Sequence, residues 1–293
     1  MRIQNSYDET KVGKLYLVPT PIGNLEDMTY RAVRILSEVD VILAEDTRRT
    51  KKLLNHFAID NQTISYHEHN HRERSAYVLE RLLAGNDIAL VSDAGMPAIS
   101  DPGFALVEEL IAKEISVIVL PGANAALTAL VGSGLPTEKF LFIGFLPRKS
   151  KEQKEVLETL KGQEATMILY EAPHRLIQTL GNLKEYFSQR RIVLARELTK
   201  LYEQYLRGTV QELAEWVKEH PVRGECVLIL EGRKETEEIE EGNWWETLSI
   251  AEHVAYYEEK EGLSHKEAMR KVAQDRHCSR RDIYQALHVK KDR

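Results

Sequence analysis

The run Ile88-Ala89-Leu90-Val91 is apolar throughout and stops at Ser92. A short, unbroken apolar run bounded by turn formers is the signature of a strand buried on both faces. The stretch after it, SDAGMPAISDPG over 92–103, holds glycines, prolines and aspartates, and a helical apolar pattern resumes at Phe104. Open α/β sheets bind ligands in loops at the carboxyl ends of their strands, where small residues let backbone approach closely. Asp93, just past the strand, can accept hydrogen bonds from a ribose or an amino group. The same loop can also be read as an ordinary strand-to-helix connection in which the aspartate is a cap.

The pattern recurs along the first half of the chain. Lys14–Val18 reads as a strand entering the rigid loop PTPIGNL at 19–25, and Asp27 stands at the acidic start of a helix over 28–36. Val39–Ala44 is a second strand, ending in EDTRRT at 45–50, and a helix is expected over 51–57. Ile64–His67 reads as a short strand, 76–83 as a helix, and Val117–Leu120 as a strand ending in PGANAA at 121–126. Strands alternating with helices predict parallel pairing and right-handed crossovers, which bring the loops at 19–25, 45–50, 92–103 and 121–126 to one rim. The first loop is not GxGxxG, which weakens a nicotinamide-dehydrogenase reading. From Phe140 onward, strands at 140–143, 166–170, 191–195, 205–209 and 225–230 have more hairpin character.

The expected fold class is therefore α/β, with two α/β domains and a helical extension. The boundaries read as a lead-in at 1–13, a first domain at 14–132, a second at 136–231, an acidic linker at 232–242 and helices over 243–293. Of the 293 residues, 43% are hydrophobic and 29% charged, with a net charge of −6, which excludes a wholly basic nucleic-acid coat. No apolar run approaches a membrane span, residues 1–13 lack the apolar core of a signal peptide, and Cys226 and Cys278 lie far apart in unlike contexts. A cytoplasmic location is the expectation. From Ser264 to the end, nine Lys or Arg residues (266, 270, 271, 276, 280, 281, 290, 291 and 293) stand against four acids. Ser264 caps a helix to Asp275, His277 and Cys278 form a turn, and Ser279 starts a second helix, which is helix-turn-helix spacing. Lys271, Arg280 and Arg281 are candidate RNA-phosphate contacts there; a basic surface on a small helical cap is the other reading.

Taken in order, VPTPIGNLEDMT, AEDTRRT, SDAGMPAISDPG, PGANA, YEAPHR and ARELTK resemble the tetrapyrrole-methylase-like superfamily of S-adenosylmethionine (SAM) enzymes. The resemblance is to its branch that methylates the ribose 2′-oxygen of a cytidine in the decoding region of 16S rRNA. It covers about 14–230, and the tail is similar to that branch's helical extension. It implies SAM in a cleft between two α/β domains, a homodimer, and 16S rRNA, within the 30S subunit, as the partner. It further implies that Pro19, Asp93, Gly95, Met96, Ile99, Asn124, Ala125, Tyr170, Ala195 and Gly224 surround the cofactor. A tetrapyrrole or corrin C-methyltransferase of the same superfamily, a diphthine-type protein methyltransferase and a non-catalytic RNA-binding assembly factor are the alternatives.

Attack of a ribose hydroxyl on a methyl group is helped by a base that takes its proton. Glu45 or Asp46 is a candidate for that role, with Arg48 and Arg49 holding phosphate; a helix cap with solvated arginines is the plainer reading. Glu171, His174 and Arg175 form a second set, in which His174 is a catalytic candidate and Arg175 an RNA contact. The alternating His67, His69 and His71 would share one face of a strand, but they lack the carboxylate or thiolate pattern typical of zinc, and no metal is expected.

Overall fold

Five short strands build the first sheet in a regular β/α alternation. In chain order the elements are β1 (Leu15–Leu17), α1 (Tyr30–Glu38), β2 (Val41–Ala44), α2 (Thr47–His56), β3 (Thr63–Ser65), α3 (His71–Leu83), β4 (Ile88–Val91), α4 (Phe104–Ala112), β5 (Val117–Val119) and α5 (Ala125–Ser133). The computed structural model describes residues 3–6, 11–67, 70–234, 245, 248–276 and 278–288, with backbone alone at 71, 72 and 288. The strand order is β3-β2-β4-β1-β5 and every pairing is parallel.

Every residue of β2 and β4 is buried, which is why these runs are apolar throughout rather than alternating. Successive side chains point to opposite faces. Val41, Leu43, Ile88 and Leu90 join Leu82 of α3 and Leu106 and Leu110 of α4. Ile42, Ala44, Ala89 and Val91 join Ala32, Ile35 and Leu36 of α1 and Leu54 of α2.

Three helix starts differ from the expectation, two of them through their caps. Leu25–Asp27 forms a 3-10 turn capped by Asn24, and α1 begins after Thr29, whose hydroxyl accepts from the Ala32 N–H. Asp27 therefore does not start that helix. α2 begins at Thr47 because the Asp46 carboxylate accepts from the Arg48 N–H. α3 begins at His71, ahead of the expected Ala76, and β3 ends at Ser65, so His67 and His71 do not share a strand. His69 lies outside the described residues.

The second sheet comprises β6 (Phe140–Phe145), β7 (Thr166–Glu171), β8 (Arg191–Arg196), β9 (Gln204–Thr209) and β10 (Cys226–Leu230), with α6 (Ser150–Thr159), α7 (Leu176–Phe187) and α8 (Val210–Glu219) between them. Its order is β6-β7-β10-β8-β9; only β6 and β7 run parallel. One face packs on the three helices through Leu157, Leu180, Leu183, Leu213 and Val217. The other face, through Ile168, Val193, Ala195, Val227 and Ile229, packs on Ala126, Ala129 and Leu130 of α5. α5 thus packs on the second sheet, and its first turn reaches the cleft. Arg207 of β9 donates to the carbonyls of Gly132 and Ser133, closing the carboxyl end of α5 where a cation is favoured.

Contacts divide the chain into Met1–Lys234 and Glu235–Arg293. Most of the acidic stretch expected as a linker lies outside the described residues. In the second unit, α9 (Ile250–Glu261), α10 (His265–Asp275) and α11 (Arg280–His288) surround Val254, Tyr257, Ala268, Val272 and Ile283. Ser264 and Glu267 form the cap expected for α10, and Ser279 pairs with Asp282 at the start of α11. No helix among the described residues is long and apolar enough to cross a membrane.

Leu228 lies at the middle of β10, paired with both β7 and β8, and is fully buried. Leu228→Ala should cost about 2–5 kcal/mol, as truncation of a buried leucine does. Urea unfolding followed by circular dichroism measures this; a change under ~1 kcal/mol would contradict the packing described.

Candidate active site

The loops after four of the five parallel strands, β1, β2, β4 and β5, open on one cleft of about 370 Å³. Ile22 comes from the loop after β1, Glu45 and Arg49 from that after β2, Asp93–Asp101 from that after β4, and Asn124 and Ala125 from that after β5. The opposite wall is the second sheet: Phe145, Tyr170, Glu171, Cys226 and Val227.

The floor is a constrained loop. Ala98 and Ser100 sit at φ of 66° and 60°, the left-handed region that non-glycine residues rarely occupy. A bridge between Thr20 and Gly95 ties this loop to the loop after β1, with N–H donors in both directions at 3.0 and 2.9 Å. Asp93 ties it to the loop after β2: its carboxylate accepts from the Asp46 N–H at 3.1 Å and pairs with the Arg49 guanidinium at 3.0 Å. The second-sheet wall is aromatic. Tyr170 packs edge-on against Phe142 and Phe145, with centroids 5.1 and 5.6 Å apart. A bulge in β6 between Phe142 and Gly144, where Gly144 has φ of 71°, lets Phe142 and Phe145, which strict alternation would put on opposite faces, meet the same ring.

Five carboxylates line the cleft: Glu45, Asp93 and Asp101 from the first-sheet loops, and Glu171 and Glu225 on the opposite wall. Burial first, and then the charges of Glu45 and Asp93, push the Asp101 carboxyl up to about 7. A site that resists a further negative charge in this way is suited to a cationic ligand. Burial likewise raises the Tyr170 phenol and takes the Cys226 thiol to about 12, so Cys226 is not a nucleophile here.

Of the residues expected around the cofactor, Asp93, Gly95, Met96, Ile99, Asn124, Ala125 and Tyr170 line the cleft. Pro19, Ala195 and Gly224 do not. Pro19 is buried behind the wall, where a Cβ at Gly122 would come within 2.7 Å of its ring, so it sets the PGANA loop from behind. Ala195 is fully buried in the layer between β8 and α5. Gly224 lies one residue before Glu225, where the wall begins.

The expected catalytic residues separate. Glu45 lines the cleft, whereas neither Asp46 nor His174 does. Asp46 caps α2 and grips the Arg48 guanidinium with both oxygens, at 3.1 and 2.9 Å. Those bonds to Arg48 hold its carboxyl at about 2, which makes it a poor base. The cap reading is the one the structure supports for Asp46. His174 is exposed.

Arg175, expected on RNA, is turned inward: it pairs with the buried Glu171 at 3.3 Å and donates to the Leu146 and Pro147 carbonyls. Among the tail residues, Lys271 pairs with Glu261 and lies over the Tyr257 ring at 4.6 Å, while Arg280 and Arg281 are exposed. His277, Lys290, Lys291 and Arg293 lie outside the described residues. Sequence reasoning missed Asp101 and Phe145. An aspartate before Pro-Gly reads as a turn residue, and only the packed loop sets it beside Glu45.

Asp101 also makes a pH prediction. Its folded-state pKa lies above the unfolded value of 3.8, so its carboxyl favours folding below about pH 4, and that contribution is lost as pH rises to about 7. Asp101→Asn should therefore gain melting temperature over the parent progressively between pH 4 and 7, as read by scanning calorimetry. A difference that stays flat across that range would contradict it.

The chain matches the family model for tetrapyrrole (corrin/porphyrin) methylases over residues 14–214. It is 53% identical to the ribosomal RNA small subunit methyltransferase I of Halalkalibacterium halodurans, over 98% of this chain and 99% of the relative. It is 50% identical to the protein of the same name from Bacillus subtilis, over 99% of each. Among solved structures, diphthine synthase matches with a TM-score of 0.58 at 14% identity, covering 75% of this chain and 90% of that one. A uroporphyrin-III C-methyltransferase from Thermus thermophilus, complexed with S-adenosyl homocysteine, matches with a TM-score of 0.53 at 19% identity, covering 75% and 97%. These structural likenesses carry the fold, whereas the full-length identities carry the branch. The chain belongs to the tetrapyrrole methylase family, within its group of small-subunit ribosomal RNA methyltransferases.

Proposed function

We propose that the chain transfers a methyl group from SAM to the ribose 2′-oxygen of a cytidine in the decoding region of 16S rRNA, acting in the cytoplasm on the 30S subunit as a homodimer. The observation that carries this reading is the 53% identity over nearly the whole of a named small-subunit rRNA methyltransferase. The nucleotide and its 2′-oxygen rest on the ordered motifs from VPTPIGNLEDMT to ARELTK. The exposed Leu127 and Val131, one turn apart on α5, fit a face that a second copy covers.

The cleft suits SAM on its donor set. Asp93 supplies acceptors for an amino group and a ribose, and its charge favours a sulfonium. The first turn of α5 at Asn124 and Ala125 offers backbone N–H groups to a carboxylate. Phe145 and Tyr170 give an apolar side to a purine. When bound, SAM supplies a methyl group activated by the positive sulfur.

Everything else falls to the chain's own residues. A ribose hydroxyl must lose its proton as it attacks, and a base works best when its pKa is near the working pH. Asp101, held at about 7 beside Glu45, is such a group, and the pair receives the proton at carboxylate oxygen. Arg49 holds the Asp93 carboxylate in place and presents cationic surface toward the substrate. Arg280 and Arg281 of the tail contribute phosphate contacts.

Asp101→Asn and Glu45→Gln should each lower kcat by roughly 10²- to 10⁴-fold while leaving SAM affinity within about 5-fold. Asp46→Asn, which keeps a capping oxygen, should stay within about 5-fold of the parent. The parent's kcat should rise with pH up to about 7, and Asp101→Asn should lack that limb. The assay is transfer of tritiated methyl into 30S subunits from cells lacking the gene, followed by nucleotide mapping. Parent protein that binds SAM but labels no ribose on 16S rRNA would end the proposal.

A further inference from the structure

Beside the cleft lies a second pocket of about 350 Å³, formed where the loop after β1 meets α2. Its walls include Pro21, Gly23 and Leu25 on one side and Arg49, Lys52, Leu53 and His56 on the other. Its character is opposite to that of the cleft. Where the cleft collects Glu45, Asp93 and Asp101, this pocket has the single carboxylate Asp93, already paired with Arg49. Arg49, Lys52 and His56 recur at spacings of three and four, which brings them to one face of α2. No described carboxylate lies within ion-pair distance of Lys52. Arg48, next to Arg49 in sequence, is withdrawn from this face by Asp46. Arg49 and Asp93 line both cavities and so form the wall between them.

We propose that this second pocket seats a phosphodiester of the substrate RNA, with Arg49, Lys52 and His56 as its donors; the inference rests on the rRNA-methylation reading above. A phosphate offers oxygens to all three side chains and brings the negative charge the pocket lacks. Leu25 and Leu53 give an apolar edge against which the attached sugar or base can lie. Since the cavities adjoin at the Arg49–Asp93 pair, a nucleotide anchored here by its phosphate has its ribose next to the carboxylates that would take the hydroxyl proton. This assigns Lys52 and His56 to substrate binding and splits the rim in two: an acidic half for the methyl donor and a basic half for the acceptor.

The test compares the parent with Lys52→Ala, the Lys52→Ala/His56→Ala pair, Lys52→Arg, and Lys184→Ala as an equal loss of charge on α7. Lys52 and His56 are exposed, so folding should be preserved, and thermal melts check this. SAM affinity is read by calorimetry, and kcat and KM by tritium transfer into 30S subunits lacking the modification. Subunit affinity is read across a salt series. The expected result is unchanged SAM affinity and kcat within about 3-fold. KM for the subunit should rise roughly 10-fold in the pair, and the salt slope should fall by about 1 for the lost lysine contact. Lys52→Arg should restore KM, and Lys184→Ala should leave it alone. A parent-like KM and salt slope in the pair would overturn the inference, as would a loss of SAM affinity, which would make the pocket part of the donor site. Parent protein that binds SAM yet transfers no label fails in a different arm: it removes the methylation reading, and this inference falls with it.

Discussion

The Asp93 carboxylate is the interaction on which the site depends. It takes the Asp46 N–H with one oxygen and the Arg49 guanidinium with the other, so the loops after β2 and β4 are joined at one side chain. This is possible because β2 and β4 are neighbours in a parallel sheet, although a helix, a strand and another helix separate them in sequence. The same carboxylate contributes to the charge that lifts Asp101 and to the wall of the basic pocket. One aspartate therefore sets loop geometry, local field and the division between the two cavities.

Packing supplies the frame within which that aspartate acts. The first sheet is covered on both faces, so its central strands β2 and β4 are apolar throughout and its loops carry the chemistry. The second sheet lays one face on α5, whose first turn forms part of the cleft. Burial of Ala126, Ala129 and Leu130 thus holds the first turn of α5 against the second-sheet wall as well as stabilising the chain. Buried polar groups follow the rule that they must be paired. Glu171 is bound by Thr179, the Ala172 N–H and Arg175, and Arg175 in turn holds the carbonyls at 146 and 147, next to Phe145.

Element type and order were legible in the sequence because period and punctuation agree locally: IALV before SDAG, VILA before EDTRRT, and VIVL before PGANA each announce a buried strand and a loop. Helix starts were less legible. Asp27, Thr29 and Asp46 are all acceptable caps, and the choice depends on how the chain leaves the preceding strand. The rim of the site was legible as four loops, and most of the cofactor residues read from the motifs line the cleft. Roles that depend on direction were not. Arg175 and Asp46 carry charges in conspicuous motifs, yet one faces inward and the other is spent on a cap. Asp101 owes its character to two carboxylates 8 and 56 positions away in the chain, a proximity that no local pattern encodes.

The loop after β8 meets the loop after β1 at a tight seam. The Asn24 N–H donates to the Thr199 hydroxyl, and the space beside Gly23 is filled by the Lys200 side chain and the Leu198 carbonyl. Glu197 and Thr199 hold φ of 51° and 65° there, so the seam is built from backbone already under torsion. A clamshell motion of the two sheets would have to part this latch and pull α5 from its bed. The seam and the packing of α5 on the second sheet therefore both resist such a motion.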